Sequence, residues 1–400
     1  MKVYFDNNAT TKTDERVLEE MMPYFKEEYA NPSSMYDFSK NSSNAIREAR
    51  VKIRDFVGAK NEKEVIFTSC GSESANTAIY GVLSHNRNAK HIITTKVEHA
   101  CVLNPYKYLE KRGYEVDYIG VNSRGELDID ELSSKIRKDT ALVSVMWANN
   151  ETGVIFPVEK IGEIIKSKNP DTKFYVDAVQ AAGKIPMNVK NTQIDLLGIS
   201  GHKFHAPKGI GALYIKSDAI IKPLIKGGHQ EGGLRAGTEN VPYIVGMGKA
   251  AQLAQESLEF ENSEVKRLRD KLENGILNSI YNAKLNTSVY NRVPNTTNIG
   301  FEYVEGELIL LHLGDAGICA SSGSACTSGS LEPSHVLRAM GVPFTALHGS
   351  IRFSLSRFNT EDEVDYVLEK LPPIMEKLTQ ISPYQDELEQ LKLSKNKAVL

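Results

Sequence analysis

The chain has 400 residues and a formal net charge of −3, with 41% apolar and 25% charged residues. This length exceeds one ordinary core, so a larger and a smaller domain are expected in a globular protein. The small net charge gives no reason to expect nucleic acid or an anionic membrane as the main partner. No apolar run nears the roughly 20 residues that span a bilayer, and Met1–Thr13 lacks a signal-peptide core, so we expect a cytoplasmic location.

The apolar runs between about residues 45 and 200 alternate with segments of helical period. The predicted strands are Val65–Thr68, His91–Thr95, Glu115–Val121, Ala141–Trp147, Phe174–Asp177, Leu196–Ser200 and Gly211–Ile215. Repeated strand-then-helix units predict an α/β fold, a mainly parallel seven-stranded sheet with helices on both faces. Only about ten residues separate the last two strands, which is too few for a parallel crossover. We therefore expect the last strand, Gly211–Ile215, to be antiparallel.

A long helical stretch, Val245–Ile280, leads into a smaller α+β domain. Its predicted strands are Thr296–Phe301, Ile318–Ala320 and Ile351–Ser354. The tail could be a helix, a frayed end or a docking segment. The expected division is an N-terminal segment 1–15 joining the small domain, a large domain 16–255, a small domain 256–382 with a cysteine loop at about 321–332, and a tail 383–400.

Chemistry-bearing residues follow two of the buried strands. Lys203 stands just past the strand that ends at Ser200, and Asp177 ends another strand, with Gln180 three residues on. Ligands of open α/β sheets bind beyond the carboxyl ends of the strands. Taken alone, the lysine is more often a surface residue and the aspartate a helix cap. Together they could be an amine that forms a Schiff base and an acid that pairs with a ring nitrogen.

Two further features lie at the same expected edge. Gly71 and Ser72 join a strand to a helix, where backbone N–H groups suit a phosphate, although a plain helix cap is the simpler interpretation. His99 begins the next helix and could cap it, sit in the core or stack on a planar ring. An amine, a pyridinium anchor, an anion cradle and an aromatic lid are what pyridoxal 5′-phosphate would meet.

At these residues the chain resembles the NifS/IscS-like cysteine desulfurases, class-V aminotransferases of the fold-type I pyridoxal-phosphate enzymes. The resemblance runs from Tyr4 to about Arg357. Its stretches are 4–11, Asn149-Asn150-Glu151, Ser200-Gly201-His202-Lys203, Arg235-Ala236-Gly237-Thr238 and Ser321-Ser322-Gly323-Ser324-Ala325-Cys326. Tyr36 stands where the family often has histidine, and Gly71-Ser72 where it commonly has Ala-Thr. The Tyr36 departure affects what can be expected of the substrate entrance. It does not affect the predicted reaction class.

The resemblance implies a role for each site residue. Lys203 would carry the cofactor, Asp177 would pair with the pyridine nitrogen, Gln180 would contact the ring hydroxyl and His99 would stack on the ring. Gly71, Ser72, Ser200 and His202 would hold the phosphate, and Thr238 would reach the phosphate of the other subunit of a homodimer. Asn150 and Arg352 would bind the substrate carboxylate, a task that suits the planar fork of arginine. Arg352 alone could equally be an edge-strand surface charge.

The four cysteines are Cys70, Cys101, Cys319 and Cys326, too few for a disulfide scaffold and without a C-x-x-C pair, so no metal is predicted. Eight of the ten residues from Ser321 to Ser330 are Ser, Gly or Thr, a composition that packs poorly. Cys326 is therefore expected to be exposed and reactive, and the other three to be structural. Its thiolate would attack the sulfur of L-cysteine, leaving alanine and a persulfide, with Lys203 moving protons and His99 a candidate proton partner.

The leading hypothesis is a cysteine desulfurase that feeds an iron–sulfur scaffold protein or another sulfur acceptor. A selenocysteine lyase or another class-V lyase or aminotransferase is the nearest alternative. A catalytically inactive scaffold is the alternative from another class. An aminotransferase has no use for a cysteine on a glycine-serine loop, and a scaffold has no need to keep Lys203, Asp177 and Cys326 together.

Overall fold

A computed structural model describes residues 1–86, 89–322 and 333–398. The strands are β1 Val3–Tyr4, β2 Val65–Thr68, β3 His91–Thr95, β4 Glu115–Ile119, β5 Thr140–Met146, β6 Lys173–Asp177, β7 Leu196–Ser200, β8 Gly211–Ile215, β9 Ala283–Leu285, β10 Thr296–Phe301, β11 Ile318–Cys319 and β12 Ser350–Ser354. The helices are α1 Glu15–Met21, α2 Pro23–Lys26, α3 Lys40–Val57, α4 Gly71–His85, α5 Ala100–Glu110, α6 Ile129–Lys135, α7 Val158–Lys168, α8 Val241–Glu256, α9 Leu258–Phe260, α10 Lys266–Ser279, α11 Gly306–Asp315, α12 His335–Ala339, α13 Phe344–Leu347, α14 Glu361–Ile381 and α15 Gln385–Ala398.

Seven strands form the central sheet in the order β2-β8-β7-β6-β5-β3-β4. Strand β8 runs antiparallel to both of its neighbours, and the other pairs are parallel. The expected seven-stranded sheet with one antiparallel strand is confirmed. Strands β5, β6 and β7 are adjacent and parallel, so their carboxyl ends meet at one edge of the sheet.

Helices cover both faces of the sheet. Five of its strands are therefore buried along their whole length, namely β2, β3, β5, β7 and β8. On one face, helices α3 and α8 pack so closely that a Cβ on Gly248 would lie 2.7 Å from the Ala49 Cα. Helix α3 ends at Gly58, whose φ of +69° suits a residue without a side chain. On the other face, Ile79 of α4 and Tyr106 of α5 are fully buried. These layers hold the sheet edge in place.

A second apolar core surrounds the three-stranded antiparallel sheet β12-β10-β9. Helices α10, α11 and α14 contribute Leu272, Leu313 and Leu371 to it. The N-terminal strand β1 pairs with β11 in parallel, and Val3 and Phe5 are buried in the same core. The first residues of the chain therefore pack against elements more than 300 positions away. The domain boundaries given above stay predictions.

The structure corrects several predicted bounds. Strand β4 ends at Ile119 and not at Val121, and Val3–Tyr4 and Ala283–Leu285 are strands that the sequence analysis missed. The predicted helix over 245–280 is interrupted after Glu256 and contains a π-helical turn at Glu261–Val265. The tail is helical over Gln385–Ala398. Within the described residues, the helices are all too short or too polar to cross a bilayer.

Candidate active site

A cavity of about 280 Å³ opens at the carboxyl ends of β5, β6 and β7, beside the first turn of α4. Ten of the residues predicted for the site line it: Gly71, Ser72, His99, Asn150, Asp177, Gln180, Ser200, His202, Lys203 and Arg352. They come from positions 71 to 352 of the chain. The expected edge of the sheet is thus the place where the fold gathers them.

Lys203 follows β7 on a short 3-10 turn at the edge of the cavity. Its Nζ donates to the carbonyl oxygens of Asn8 at 2.5 Å and Ala9 at 2.8 Å. Asn8 and Ala9 also line the cavity, and the sequence analysis assigned neither of them a role. The N-terminal segment therefore fixes the direction in which the lysine amine points.

Asp177 ends β6 with its carboxyl group in the cavity wall and only 5% of its surface exposed. Its Oδ1 accepts the Val179 N–H at 3.0 Å, and its Oδ2 lies 3.6 Å from the Cys101 Sγ. Burial, followed by the charge of Asp177, raises the pKa of the Cys101 thiol well above its ordinary value. Cys101 therefore remains a neutral thiol, in agreement with its predicted structural role.

A second acid lies behind this wall. Glu98 is fully buried, and its Oε1 accepts the Thr95 hydroxyl and the Met146 N–H at 2.8 and 2.9 Å. Burial, with a smaller contribution from the Asp177 charge, raises the pKa of Glu98 to about 8. At neutral pH this carboxyl group is mainly protonated and adds little negative charge behind the cavity wall.

Gln180 and Ser200 each present a buried oxygen that lacks a protein partner. The Gln180 Nε2 donates to the Asn8 carbonyl at 3.0 Å, but its Oε1 has no hydrogen-bond partner among the described residues. The Ser200 Oγ has none there either. Since buried polar atoms are rarely left unpaired, both oxygens are suited to a polar ligand in the cavity.

His202 contacts the segment 4–11 through its Nδ1, 3.1 Å from the Thr10 Oγ1. Burial and the nearby Lys203 ammonium lower the pKa of His202 to about 4. The imidazole is therefore neutral at physiological pH. It can donate one hydrogen bond to an anion without adding a charge.

Gly71 opens α4 directly against the cavity, where a Cβ would lie 2.9 Å from the Val179 Cγ2. The valine is β-branched and cannot easily turn away, so the added methyl group must push the helix start outward. We expect Gly71→Ala to weaken the binding of pyridoxal 5′-phosphate about tenfold, measured by fluorescence titration of the apoprotein. Gly314→Ala is the control because nothing lies within 4 Å of its Cβ position. Equal affinity of both variants would contradict the role of Gly71.

His205, next to the site, gives the fold a dependence on pH. It is 3% exposed, and burial together with Arg357 lowers its pKa to about 3 from an ordinary value of 6.5. Below pH 6.5 the unfolded chain binds a proton that the folded chain excludes, so stability falls with acidification. Between pH 7 and 5 this group costs about 2 kcal/mol of stability.

We expect His205→Asn to reduce this loss of stability between pH 7 and 5 by about 2 kcal/mol, as measured by urea unfolding at both pH values. Asparagine tolerates the positive φ of 71° at this position and can still donate to the Lys12 carbonyl. The control is His85→Asn at an exposed position. An undiminished difference in the His205 variant would contradict the assignment.

Arg352 lies on β12, a strand of the sheet in the second core, and its side chain lines the cavity. Its side chain is 2% exposed, which excludes the alternative of an edge-strand surface charge. One terminal nitrogen donates to the Asn150 carbonyl at 2.8 Å and the other to the Asp6 Oδ1 at 2.7 Å. The guanidinium retains further N–H groups, and it lines the cavity beside Asn150.

Two predicted residues are not in the cavity wall. Thr238 lies on an exposed loop before α8 and does not line the cavity of its own chain. Its predicted reach into a second subunit stays a prediction. Cys326 lies outside the described residues. The neighbouring Ser321 is described, and its backbone pairs with that of Arg352.

Comparison with known proteins agrees with this architecture. Residues 3–367 match the class-V aminotransferase family. The chain is 56% identical to cysteine desulfurase 2 of Trichormus variabilis over 385 residues, which covers 96% of each chain. It is 50% identical to the cysteine desulfurase NifS of Azotobacter vinelandii over 96% of this chain and 94% of that protein. The solved structure of a NifS-like protein, 42% identical, superimposes with a TM-score of 0.89 over 94% of this chain and all of that one.

The fold and the cavity are thus those of the pyridoxal-phosphate enzymes of fold type I. The chain belongs to the class-V aminotransferase family, and within it to the NifS/IscS-like cysteine desulfurases.

Proposed function

We propose that this chain converts L-cysteine to L-alanine with pyridoxal 5′-phosphate as cofactor, and that Cys326 receives the sulfur as a persulfide. The observation that carries the proposal is the single cavity wall shared by an amine, a carboxyl group and a guanidinium, those of Lys203, Asp177 and Arg352. These are the groups that a cofactor aldehyde, a protonated ring nitrogen and a substrate carboxylate would require.

The residues of the cavity fit the cofactor. The Lys203 amine would bind it covalently, and the Asp177 carboxylate would hold a proton on the ring nitrogen. The unpartnered oxygen of Gln180 matches a ring hydroxyl, and that of Ser200 matches a phosphate at the N-terminus of α4. When bound there, the cofactor supplies an electron sink for the bond changes at the substrate Cα.

The substrate carboxylate would meet Arg352, the one arginine among the described residues that line the cavity. Asp6 and the Asn150 carbonyl hold its guanidinium on two sides, which leaves its remaining N–H groups to form a paired contact with a carboxylate. This contact orients the amino acid, and the Lys203 amine then lies where it can move a proton to or from the Cα. His99, whose Nδ1 accepts the Cys101 N–H at 3.2 Å, would cover the ring.

The Cys326 thiol accounts for the transfer of sulfur. It stands five positions after Ser321, a length of chain that spans at most about 17 Å. Because Ser321 is paired with Arg352, this length of chain would allow the thiol to reach the bound substrate. In the transfer an S–S bond to Cys326 forms as the C–S bond of cysteine breaks, and the carbon gains a proton to become the methyl group of alanine. Neither an oxidant nor a reductant is needed.

The partners follow from this chemistry. A persulfide must be passed on, so an iron–sulfur scaffold protein or another sulfur acceptor would dock near Cys326. A homodimer would bring the exposed Thr238 of one subunit to the phosphate of the other. A cytoplasmic location agrees with these partners.

The test is the formation of alanine from L-cysteine in the absence of a 2-oxo acid. We expect stoichiometric alanine and sulfide in the presence of a thiol reductant. An aminotransferase would produce no alanine from cysteine alone, and this result would overturn the proposal. A selenocysteine lyase would accept L-selenocysteine with a kcat/KM at least about a hundredfold above that for L-cysteine.

A further inference from the structure

The segment that carries Cys326 is attached to the cavity wall at both of its described ends. At the first end, the Ser321 N–H donates to the Arg352 carbonyl at 3.2 Å, and the Arg352 N–H donates to the Ser321 carbonyl at 2.7 Å. This pair is an isolated antiparallel bridge beside strand β12 and is made by backbone groups, so it does not depend on the side chain of Ser321. The first end is thereby fixed to the guanidinium-bearing residue.

The second end is fixed by side chains. The Ser334 hydroxyl donates to the Glu151 Oε2 at 2.5 Å and accepts the Leu337 N–H at 3.1 Å as the N-cap of α12. The next residue, His335, donates from its Nε2 to the Glu98 carbonyl at 2.9 Å. Glu151 directly follows the cavity residue Asn150, and Glu98 directly precedes His99, so both contacts are made to residues adjacent in the chain to the cavity wall.

Glu151 is the unusual member of this contact. It is fully buried, its Oε1 has no partner among the described residues, and the hydroxyl of Ser334 is the one described donor to its side chain. Burying a carboxyl group with a single hydroxyl donor costs stability, and an apolar residue of similar size would pack there more favourably. The stability of the fold therefore does not explain this residue.

We propose that Glu151 and Ser334 are positioning residues for sulfur transfer, which hold the described chain that follows Cys326 against the cavity wall. The inference rests on the proposed function. Ser334 stands eight positions after Cys326, so we expect a shift of this anchor to slow the approach of the thiol to the substrate sulfur. Small displacements of reacting groups slow a reaction strongly without weakening the binding of the substrate.

The experiment follows a single turnover of the holoenzyme with L-cysteine in wild type, Ser334→Ala and Ser334→Thr. Substrate binding is measured by the change in cofactor absorbance, and transfer by mass spectrometry of the Cys326 peptide in quenched samples. In Ser334→Ala we expect the rate of transfer to fall about tenfold while the half-saturating cysteine concentration stays within about twofold. Threonine keeps both hydrogen bonds and should restore the rate.

A matched control distinguishes the loss of the contact between Ser334 and Glu151 from the loss of a helix N-cap. Thr360 caps α14 through the Glu363 N–H, away from the cavity, and Thr360→Ala should transfer sulfur at the wild-type rate. If Ser334→Ala does not fold, Glu151→Gln replaces it, with a smaller fall expected because the amide oxygen still accepts from Ser334. Transfer at the wild-type rate in Ser334→Ala, or an equal fall in Thr360→Ala, would overturn the inference. A wild type that forms alanine without labelling Cys326 would instead overturn the proposed role of that thiol, and with it this inference.

Discussion

Lys203→Ala is expected to remove the visible absorbance band of the purified holoenzyme and to lower cysteine desulfuration at least about a thousandfold. The amine is the group that condenses with the cofactor aldehyde and the one that moves protons at the substrate Cα. Alanine at this position also removes the lysine donor to the Ala9 carbonyl and leaves the Asn8 carbonyl with the Gln180 amide as its donor. Absorbance spectra and alanine formation measure the two effects separately.

The control for this variant is Lys208→Ala, which removes an exposed lysine five positions further along the chain. We expect it to retain both the band and the activity. A Lys203→Ala protein that keeps the band through dialysis, and to which borohydride fixes the cofactor covalently, would contradict the assignment. Another amine would then carry the cofactor, and the buried Lys184, whose Nζ lies 3.5 Å from the Lys203 carbonyl, would be the first to examine.

The second large effect is expected for Cys326→Ser, which should keep the cofactor band and the spectral response to L-cysteine but lose desulfuration about a thousandfold. The hydroxyl of serine is a poor nucleophile toward sulfur, whereas binding of the substrate depends on Arg352 and Lys203. A loss of transfer with retained binding would show that Cys326 acts in sulfur transfer and not in the binding of the substrate.

Cys319→Ser is the matched control, since Cys319 ends the short strand β11 and does not line the cavity. We expect it to desulfurate cysteine at close to the wild-type rate. Full activity of Cys326→Ser would contradict the mechanism and would require another thiol. Cys101 is ill suited to that role, because burial keeps its thiol protonated.

Much of the large sheet could be predicted from the sequence. Strands β2, β3, β7 and β8 have the bounds that their apolar runs predicted, since each is buried along its whole length. The short spacing before Gly211–Ile215 also predicted the antiparallel strand. Strands of two or three residues could not be found in this way, because an apolar run of that length has no measurable period.

The site residues that act through their side chains could be predicted from the sequence. Those that act through their backbone groups could not. Lys203, Asp177 and Arg352 were assigned in advance, with the resemblance to a known family supplying their roles. The carbonyl groups of Asn8 and Ala9 leave no signal in a sequence. The same holds for the contact between Glu151 and Ser334, whose partners stand 183 positions apart and meet only in the folded chain.

The central claim is that sulfur from L-cysteine passes to the Cys326 thiol. The most direct measurement is mass spectrometry of peptides from the holoenzyme after one turnover with sulfur-labelled L-cysteine, with alanine determined in the same sample. We expect the labelled sulfur on the Cys326 peptide and an equal amount of alanine. Label on the peptides of Cys70, Cys101 or Cys319, or alanine without label on any cysteine, would contradict it.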